Sequence, residues 1–374
     1  MVRSENSTDV FIVGGGPAGL TAAIAARQKG FAVTVADGAQ PPIEKTCGEG
    51  MMPETLGALN NLGVNLDRGD GHHFRGISFV QNDASVSADF PEGSGIGLRR
   101  PLLHERLVTR AAECGVRLLW KAPVSGIEAD GVHLPCGTIR ARWIVGADGQ
   151  GSRVRRWSGL DKTTRCTERY AFRRRYRVKP WSHYMEIYWA SHAQAYVTPI
   201  GSEEICVVVT AETPKYTAFE IALEEMPKLK EKLSDAELCS RERGAVTAMR
   251  SLERVHSNNI ALLGDASGSV DAITGDGLRM AFRQAAALAD AMVAGDLTQY
   301  QRAHRELARR PMLMGNLLLW LGRNQRVRAQ VIRALQEKPP IFAGMLAAHV
   351  GGGIESLLLA LVSGTGQCRP YFTS

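Results

Sequence analysis

The chain has 374 residues, of which 44% are hydrophobic and 22% are charged. This length and composition suit two closely packed domains, each with a core of its own, and exclude a disordered chain. The first nine residues lack the charged and apolar regions of a secretory signal, and no stretch reaches the roughly 18 apolar residues of a membrane-spanning helix. We therefore expect a soluble, cytoplasmic protein.

Seven cysteines are spread singly, with no Cys-x-x-Cys pair and no Cys/His cluster at the spacing of zinc ligands. We therefore expect neither a disulfide framework nor a metal site. The formal net charge of +7 favours anionic partners, such as cofactor phosphates, an acidic carrier protein or a membrane surface. No nucleic-acid-binding module is recognisable, and the sequence does not predict the oligomeric state.

A glycine-rich turn links a predicted strand at 9–13 to an alanine-rich helix at 20–30 and a second strand at 31–36. The predicted binding residues of this unit are Gly14, Gly16, Pro17, Ala18, Gly19 and Asp37. In such a βαβ unit, glycines permit the tight turn, the approach of a pyrophosphate and close helix packing, and the acidic residue binds a ribose hydroxyl. The unit predicts a dinucleotide site without distinguishing NAD from FAD.

The second motif begins with a predicted strand at 142–147, which runs into the turn Asp148-Gly149 and then into a basic helix start. This segment resembles the DG motif of flavoprotein hydroxylases. The resemblance implies that Asp148 and Gly149 lie near the phosphates of FAD and the path of the nicotinamide.

The glycine-rich stretch 264–277 separates a predicted strand at 259–263 from an alanine-rich helix at 278–292. It resembles the GD motif of the same flavoproteins, which implies that Asp265 bonds a ribityl hydroxyl. The glycines assigned to this turn are Gly264, Gly275 and Gly277. The resemblance implies that the turn presents N–H groups to the isoalloxazine ring, where a helix N-terminus stabilises the negative charge of a reduced flavin.

Together the three motifs resemble the glutathione-reductase-type FAD fold of p-hydroxybenzoate hydroxylase, flavin-dependent halogenases and geranylgeranyl reductases, over about residues 9–300. The resemblance implies an α/β fold with a Rossmann-type FAD-binding domain, an inserted antiparallel β-sheet substrate domain and a helical C-terminal region. The expected boundaries are 1–74, 99–164 and 255–300 for the FAD-binding domain, 75–98 and 165–254 for the substrate domain, and 301–374 for the helical region.

Residues 45–53 resemble the Cys-Gly-x-Gly segment of the geranylgeranyl-reductase-like branch, which runs past the flavin ring and here contains Cys47 and Gly48. The family also places an FAD-binding arginine at Arg100, with the adjacent Arg99 as the alternative. It places a backbone contact to the adenine at Val124. A surface arginine and an ordinary strand valine are the other interpretations of these two positions.

The resemblance implies an FAD-dependent oxidoreductase that uses NADPH or NADH as co-substrate. Our first expectation is a monooxygenase acting on an apolar or aromatic small molecule of secondary metabolism, because lipid-reducing members tend to be longer. The alternative is a reductase or dehydrogenase acting on a carbon–carbon double bond, with Cys47 or Glu49 as the proton donor or acceptor. For Cys47 a packing role stays open, and for Glu49 a surface role.

Halogenation is disfavoured because 195–200 lacks the Trp-x-Trp-x-x-Pro signature, and a flavoprotein without catalysis is the remaining class.

One predicted strand carries Arg173, Arg175, Arg177 and Lys179 on a single face. A solvated outer face of an antiparallel sheet is one interpretation. The other is a docking surface for an anionic substrate or for an acidic carrier protein that presents the substrate.

Beyond residue 295 the sequence indicates helices. Apolar runs at 312–321 and 354–362 lie on either side of a basic stretch at 323–333 and a Pro-Pro break at 339–340. We expect these helices to close over the core or to form a dimer seam. Peripheral contact with a membrane is the alternative.

Overall fold

The computed structural model describes residues 6–67 and 69–351, so the apolar run 354–362 lies outside the described residues. Its strands are β1 (Ser7–Val13), β2 (Val33–Ala36), β3 (Gly50–Met51), β4 (His72–Phe74), β5 (Gly76–Gln81), β6 (Ala84–Asp89), β7 (Gly95–Gly97), β8 (Arg117–Leu119), β9 (Gly126–Ile127), β10 (Gly131–Leu134), β11 (Gly137–Gly146), β12 (Thr163–Arg177), β13 (Tyr184–Trp189), β14 (Ala193–Gly201), β15 (Glu204–Ala211), β16 (Glu237–Leu238), β17 (Arg243–Leu252), β18 (His256–Ser257) and β19 (Ile260–Leu262). The α-helices are α1 (Pro17–Gln28), α2 (Pro53–Asn61), α3 (Arg100–Glu113), α4 (Arg153–Trp157), α5 (Phe219–Glu224), α6 (Pro227–Leu233), α7 (Gly277–Ala294), α8 (Leu297–Arg323), α9 (Gln325–Glu337) and α10 (Pro339–Val350). Short 3-10 helices span Pro214–Thr217, Gly264–Ser267 and Ala272–Thr274.

The first sheet has the order β18-β19-β11-β1-β2-β8, and its pairs from β19 to β8 are parallel. Its central strand β1 ends in an apolar run that is buried throughout, as expected of a parallel strand covered on both faces. The buried face of α1 packs against this sheet and against α3 and α7. The carboxyl ends of β1, β11 and β19 therefore meet at one edge of the sheet, where the three predicted motifs begin.

Two glycines of the first motif allow α1 to pack closely on this sheet edge. A Cβ atom on Gly19 would lie 1.9 Å from the carbonyl oxygen of Gly14. One on Gly14, whose φ is +112°, would lie 2.4 Å from the carbonyl oxygen of Ala147. Side chains at either position would separate α1 from the strands.

The second sheet is mostly antiparallel, in the order β16-β12-β15-β14-β13-β5-β6, with β17 paired to β12. Side chains alternate between its two faces. One face packs on α5 and α6, and the other packs on α8, α9 and α10. A third sheet of β3, β7 and β4 joins the segment 50–51 to residues that precede and follow β5 and β6.

The α/β class with a Rossmann-type domain, an additional antiparallel sheet and C-terminal helices is thus confirmed. The first sheet draws its strands from 7–146 and 256–262, and the second from 76–89 and 163–252. Within the described residues, no helix is both long enough and apolar enough to cross a membrane.

Candidate active site

A cavity of about 800 Å³ is lined by residues of the first sheet's carboxyl edge and of the second sheet. Twelve of the predicted site residues line it: Gly16, Pro17, Ala18, Cys47, Gly48, Glu49, Arg100, Gly149, Gly264, Asp265, Gly275 and Gly277. They come from five separate segments of the chain, which the fold brings together around one space.

The other five predicted residues lie outside the cavity wall. Gly14 and Gly19 make the close packing described above. Asp37 accepts hydrogen bonds from the N–H groups of Gly15 and Ala39, each at 2.7 Å, and so braces the first turn.

Asp148 accepts hydrogen bonds from the Ser152 hydroxyl at 2.5 Å and from the N–H of Arg153 at 2.7 Å, at the start of α4. Val124 is buried in the core of the first sheet. The roles in FAD binding assigned to these two residues stay predictions.

His104, which the sequence did not single out, supports the first glycine-rich turn. Its Nε2 lies 2.8 Å from the carbonyl oxygen of Gly15, and its Nδ1 lies 3.4 Å from the N–H of Ile43. Burial lowers the pKa of His104 below its ordinary value, although the bond to Gly15 opposes the shift. The neutral ring, donating at Nε2 and accepting at Nδ1, fits both contacts.

The turn that begins at Gly264 is held by buried polar side chains. Its N–H donates to Gln284 at 3.0 Å, and its carbonyl oxygen accepts from the Ser267 hydroxyl at 2.8 Å. His304 Nε2 lies 2.9 Å from the same hydroxyl. Because Gly264 has a φ of +58°, the turn requires a backbone conformation that glycine adopts most easily. These contacts fix the backbone next to Asp265.

The segment 44–50 crosses the cavity wall between the two sheets. Glu49 is 3% exposed, and both of its carboxylate oxygens contact the Arg175 guanidinium, one of them at 2.9 Å. It also accepts the N–H of Arg100 at 3.0 Å. The carboxylate is therefore neither on the surface nor uncommitted, and these contacts favour an anchoring role. Cys47 lies on the cavity wall, where its sulfur accepts the N–H of Glu49 at 3.4 Å.

The interpretation of the basic strand as a solvated face is wrong for two of its residues. Arg173 and Arg175 are buried, and both donate to Glu44, at 2.6 Å and 3.1 Å. Arg243 reaches the other oxygen of Glu44 at 2.9 Å. Burial acts to raise the pKa of Glu44, but the hydrogen bond from Arg173 and the three positive charges hold it below its usual value. Arg173 and Arg175 point toward the segment 44–50 because they pair with its carboxylates, Glu44 and Glu49. Arg177 is exposed and pairs with Glu237.

The wall on the side of the second sheet includes an apolar part formed by Ala171, Met185, Tyr196 and Val208, and a part formed by residues 243–247 of β17, of which Arg243 and Thr247 are polar. Next to this wall, Arg169 donates to the cavity residue Asp271 at 2.8 Å, and both side chains are buried. Burial raises the pKa of Tyr196 to about 12, against the opposing charge of Arg169, so the phenol stays protonated at neutral pH.

The cavity fits a bound FAD. Gly16, Gly48 and Gly277 line it, and a Cβ atom on any of them would meet no atom within 4 Å, so packing among the described residues does not require glycine there. The N-terminus of α1 has no side-chain cap among these residues, which leaves its N–H groups for a pyrophosphate. Arg100 Nη1 is buried without a hydrogen-bond partner in the described part of the chain. These groups suit a ligand with phosphates that enters this space.

Comparisons with known proteins agree with this site. A family model described as FAD binding domain matches residues 7–297. The chain is 29% identical over 299 residues to digeranylgeranylglycerophospholipid reductase 1 of Methanopyrus kandleri, covering 73% of this chain and 77% of that protein. It is 27% identical over 301 residues to menaquinone reductase of Mycobacterium tuberculosis, covering 73% and 74%.

The fold is similar to that of a flavoprotein/dehydrogenase from Cytophaga hutchinsonii, with a TM-score of 0.80, 18% identity and coverage of 92% and 93%. The resemblance to the geranylgeranyl-reductase-like branch is thus confirmed by relatives that include a digeranylgeranylglycerophospholipid reductase. The chain therefore belongs to the FAD binding domain family, and it is an FAD-dependent oxidoreductase.

Proposed function

We propose that this protein is a reductase that adds a hydride and a proton across a carbon–carbon double bond of an apolar, isoprenoid-type substrate, with NADPH or NADH as the source of electrons. The observation that carries the proposal is the position of Cys47. Cys47 lies on the cavity wall, on the segment that contacts β15 of the second sheet.

The acidic side chains around Cys47 are committed to other contacts. Glu49 contacts Arg175, and Glu44 binds three arginines. We infer that Cys47 gives a proton to a substrate carbon and recovers it from solvent. Bound FAD would supply the hydride, so that two C–H bonds replace the double bond. Positioned proton donors contribute about 10²- to 10⁴-fold to such reactions.

The apolar wall indicates the class of substrate. Met185 and Val208 offer hydrocarbon contacts on the cavity wall, and the two curated relatives reported above are named reductases of a digeranylgeranyl phospholipid and of menaquinone. Both observations support reduction of a double bond in a lipid-like molecule over the oxygen transfer that our sequence analysis placed first. Oxygen transfer stays the competing prediction.

The test is a pair of half-reactions measured by stopped flow without oxygen. The substrate half-reaction starts from photoreduced protein and uses a geranylgeranyl lipid as oxidant. Cys47→Ala should slow this half-reaction by about 10² or more while leaving reduction by the nicotinamide cofactor unchanged. The matched control is Cys166→Ala, which removes an exposed thiol on β12.

Equal substrate half-reaction rates in the wild-type protein, Cys47→Ala and Cys166→Ala would contradict the proton-donor role. Cys47→Ser should retain part of the rate, because a hydroxyl can still donate a proton, although less readily than a thiol. A geranylgeranyl lipid that fails to reoxidise the wild-type protein would contradict the substrate class.

A further inference from the structure

The outer face of α8 carries an apolar stripe formed by Leu313, Leu317 and Trp320. These side chains are 62%, 42% and 50% exposed. Their spacing of four and three residues places them in one row along the helix. Within the described part of the chain, nothing packs over this row closely enough to bury it. Large apolar side chains exposed in a contiguous row indicate a surface that contacts something else.

The stripe lies in the part of the chain that carries the net charge. Residues 301–338 contain nine Arg and Lys and two Asp and Glu, a formal charge of +7, which equals that of the whole chain. Exposed Arg309 and Arg310 precede Leu313 on α8, and exposed Arg326 follows on α9. Apolar side chains that include a tryptophan, framed by arginines, are typical of helices that lie in the interface of a membrane.

We propose that the outer face of α8 docks on the surface of an anionic lipid bilayer, with the apolar stripe inserted among the headgroups and the flanking arginines bound to lipid phosphates. A second copy of the chain is a poorer occupant, because it would bring the same positive surface and repel the first. The segment 352–374 has one Glu and one Arg, so it does not supply the missing negative charge either.

The opposite face of α8 packs on the candidate active site. A Cβ atom on Gly315 would lie 3.4 Å from Thr274 Cγ2 and 3.9 Å from Asp271 Cβ, at the turn that lines the cavity. The docked bilayer would therefore be separated from this turn by one helix, about 10 Å across. The inference does not depend on the proposed reaction, and it would bring a lipid-like substrate close to the cavity.

The first test is sedimentation of the full-length holoprotein with vesicles of phosphatidylcholine alone or mixed with phosphatidylglycerol. We expect binding to the anionic vesicles that weakens as salt is added. Arg309→Gln combined with Arg310→Gln should weaken it about thirtyfold, since each arginine near an anionic surface contributes about a factor of six. Lys162→Gln combined with Arg165→Gln removes the same charge from exposed positions on another part of the surface and should have little effect.

The second test separates insertion from charge alone. Vesicles with brominated acyl chains should quench the tryptophan fluorescence of the wild-type protein, and Trp320→Phe should lose most of this quenching while it still binds. Leu317→Ser with Trp320→Ser should bind at least tenfold more weakly, whereas Leu238→Ser with Val293→Ser, also exposed, should not.

Four results would overturn the proposal. They are equal binding to neutral and anionic vesicles, equal losses in the α8 and control variants, quenching that Trp320→Phe retains, and self-association in the ultracentrifuge that Leu317→Ser with Trp320→Ser abolishes.

Discussion

Asp265 is the cavity residue from which the strongest single contribution to FAD binding is expected. It follows a glycine whose backbone is fixed by Gln284 and Ser267, so its position is set before the cofactor binds. Asp265→Ala should weaken FAD affinity by about 1.5 to 3 kcal/mol, because a charge-assisted hydrogen bond is lost. Fluorescence titration of the apoprotein measures this, with exposed Asp235→Ala as the control. Similar affinities for the two variants would show that Asp265 does not contact the cofactor.

The sequence predicts the role of a residue where that role depends on its near neighbours along the chain. Gly16 and Gly264 are recognisable because each lies between a strand and a helix. His104 and Arg173 are not, because their partners Gly15 and Glu44 are 89 and 129 residues away in sequence. From the sequence alone, an arginine-rich strand is expected to face solvent, because the carboxylates that pair with its arginines are distant along the chain.

The turn that follows β19 is stabilised by α8, because His304 of this helix contacts Ser267 of the turn. Burial lowers the pKa of His304 to about 4, whereas in the unfolded chain it is near 6.5. Between these two values the unfolded state binds a proton that the folded state does not. The free energy of unfolding should therefore fall by about 3 kcal/mol as the pH decreases from 6.5 to 4, and this contribution is fully present above pH 6.5.

Urea unfolding at several pH values tests this, with His304→Gln as the comparison. Glutamine keeps an N–H donor for Ser267 but does not titrate, so the variant should lose this part of the pH dependence. If the two proteins lose stability in parallel as the pH falls, His304 is not the group responsible.

Element boundaries followed from the sequence where a turn marks them. The helix predicted at 278–292 is α7, because glycines stand at both of its ends. The C-terminal helices were indicated by composition alone. Composition did not show that α8 extends from Leu297 to Arg323 through Pro311, because its length is set by packing against the second sheet and the cavity turn.

The first and second sheets are joined at the cavity by the buried pair Arg169–Asp271. Arg169 lies on β12 of the second sheet, and Asp271 belongs to the turn that follows β19 of the first. Arg169→Met should lower the free energy of unfolding by about 3 to 5 kcal/mol, because it leaves a buried carboxylate without its partner. Urea denaturation followed by circular dichroism measures the loss.

A double-mutant cycle with Asp271→Asn supplies the control. Because the two side chains contact each other, the double variant should lose less than the sum of the single losses. Additive losses would show that the pair does not couple the sheets.

The overall architecture could be predicted from three short motifs, since a family fold follows from them. The arrangement around the cavity could not be predicted in this way. Met185, Tyr196 and Val208 belong to strands whose alternation predicts a sheet, but it does not predict which face of that sheet lies toward the first sheet. The position of Cys47 beside β15 of the second sheet became visible only when the sheets were placed together.

The proposed reaction adds hydrogen to a double bond and inserts no oxygen. The most direct measurement is the mass of the product formed from a geranylgeranyl lipid in single turnovers, with and without oxygen, using reduced nicotinamide cofactor in deuterated water. We expect a product that gains two hydrogen atoms, at least one of them deuterium from solvent through Cys47, whether or not oxygen is present. A product that gains one oxygen atom, and forms only in air, would contradict it.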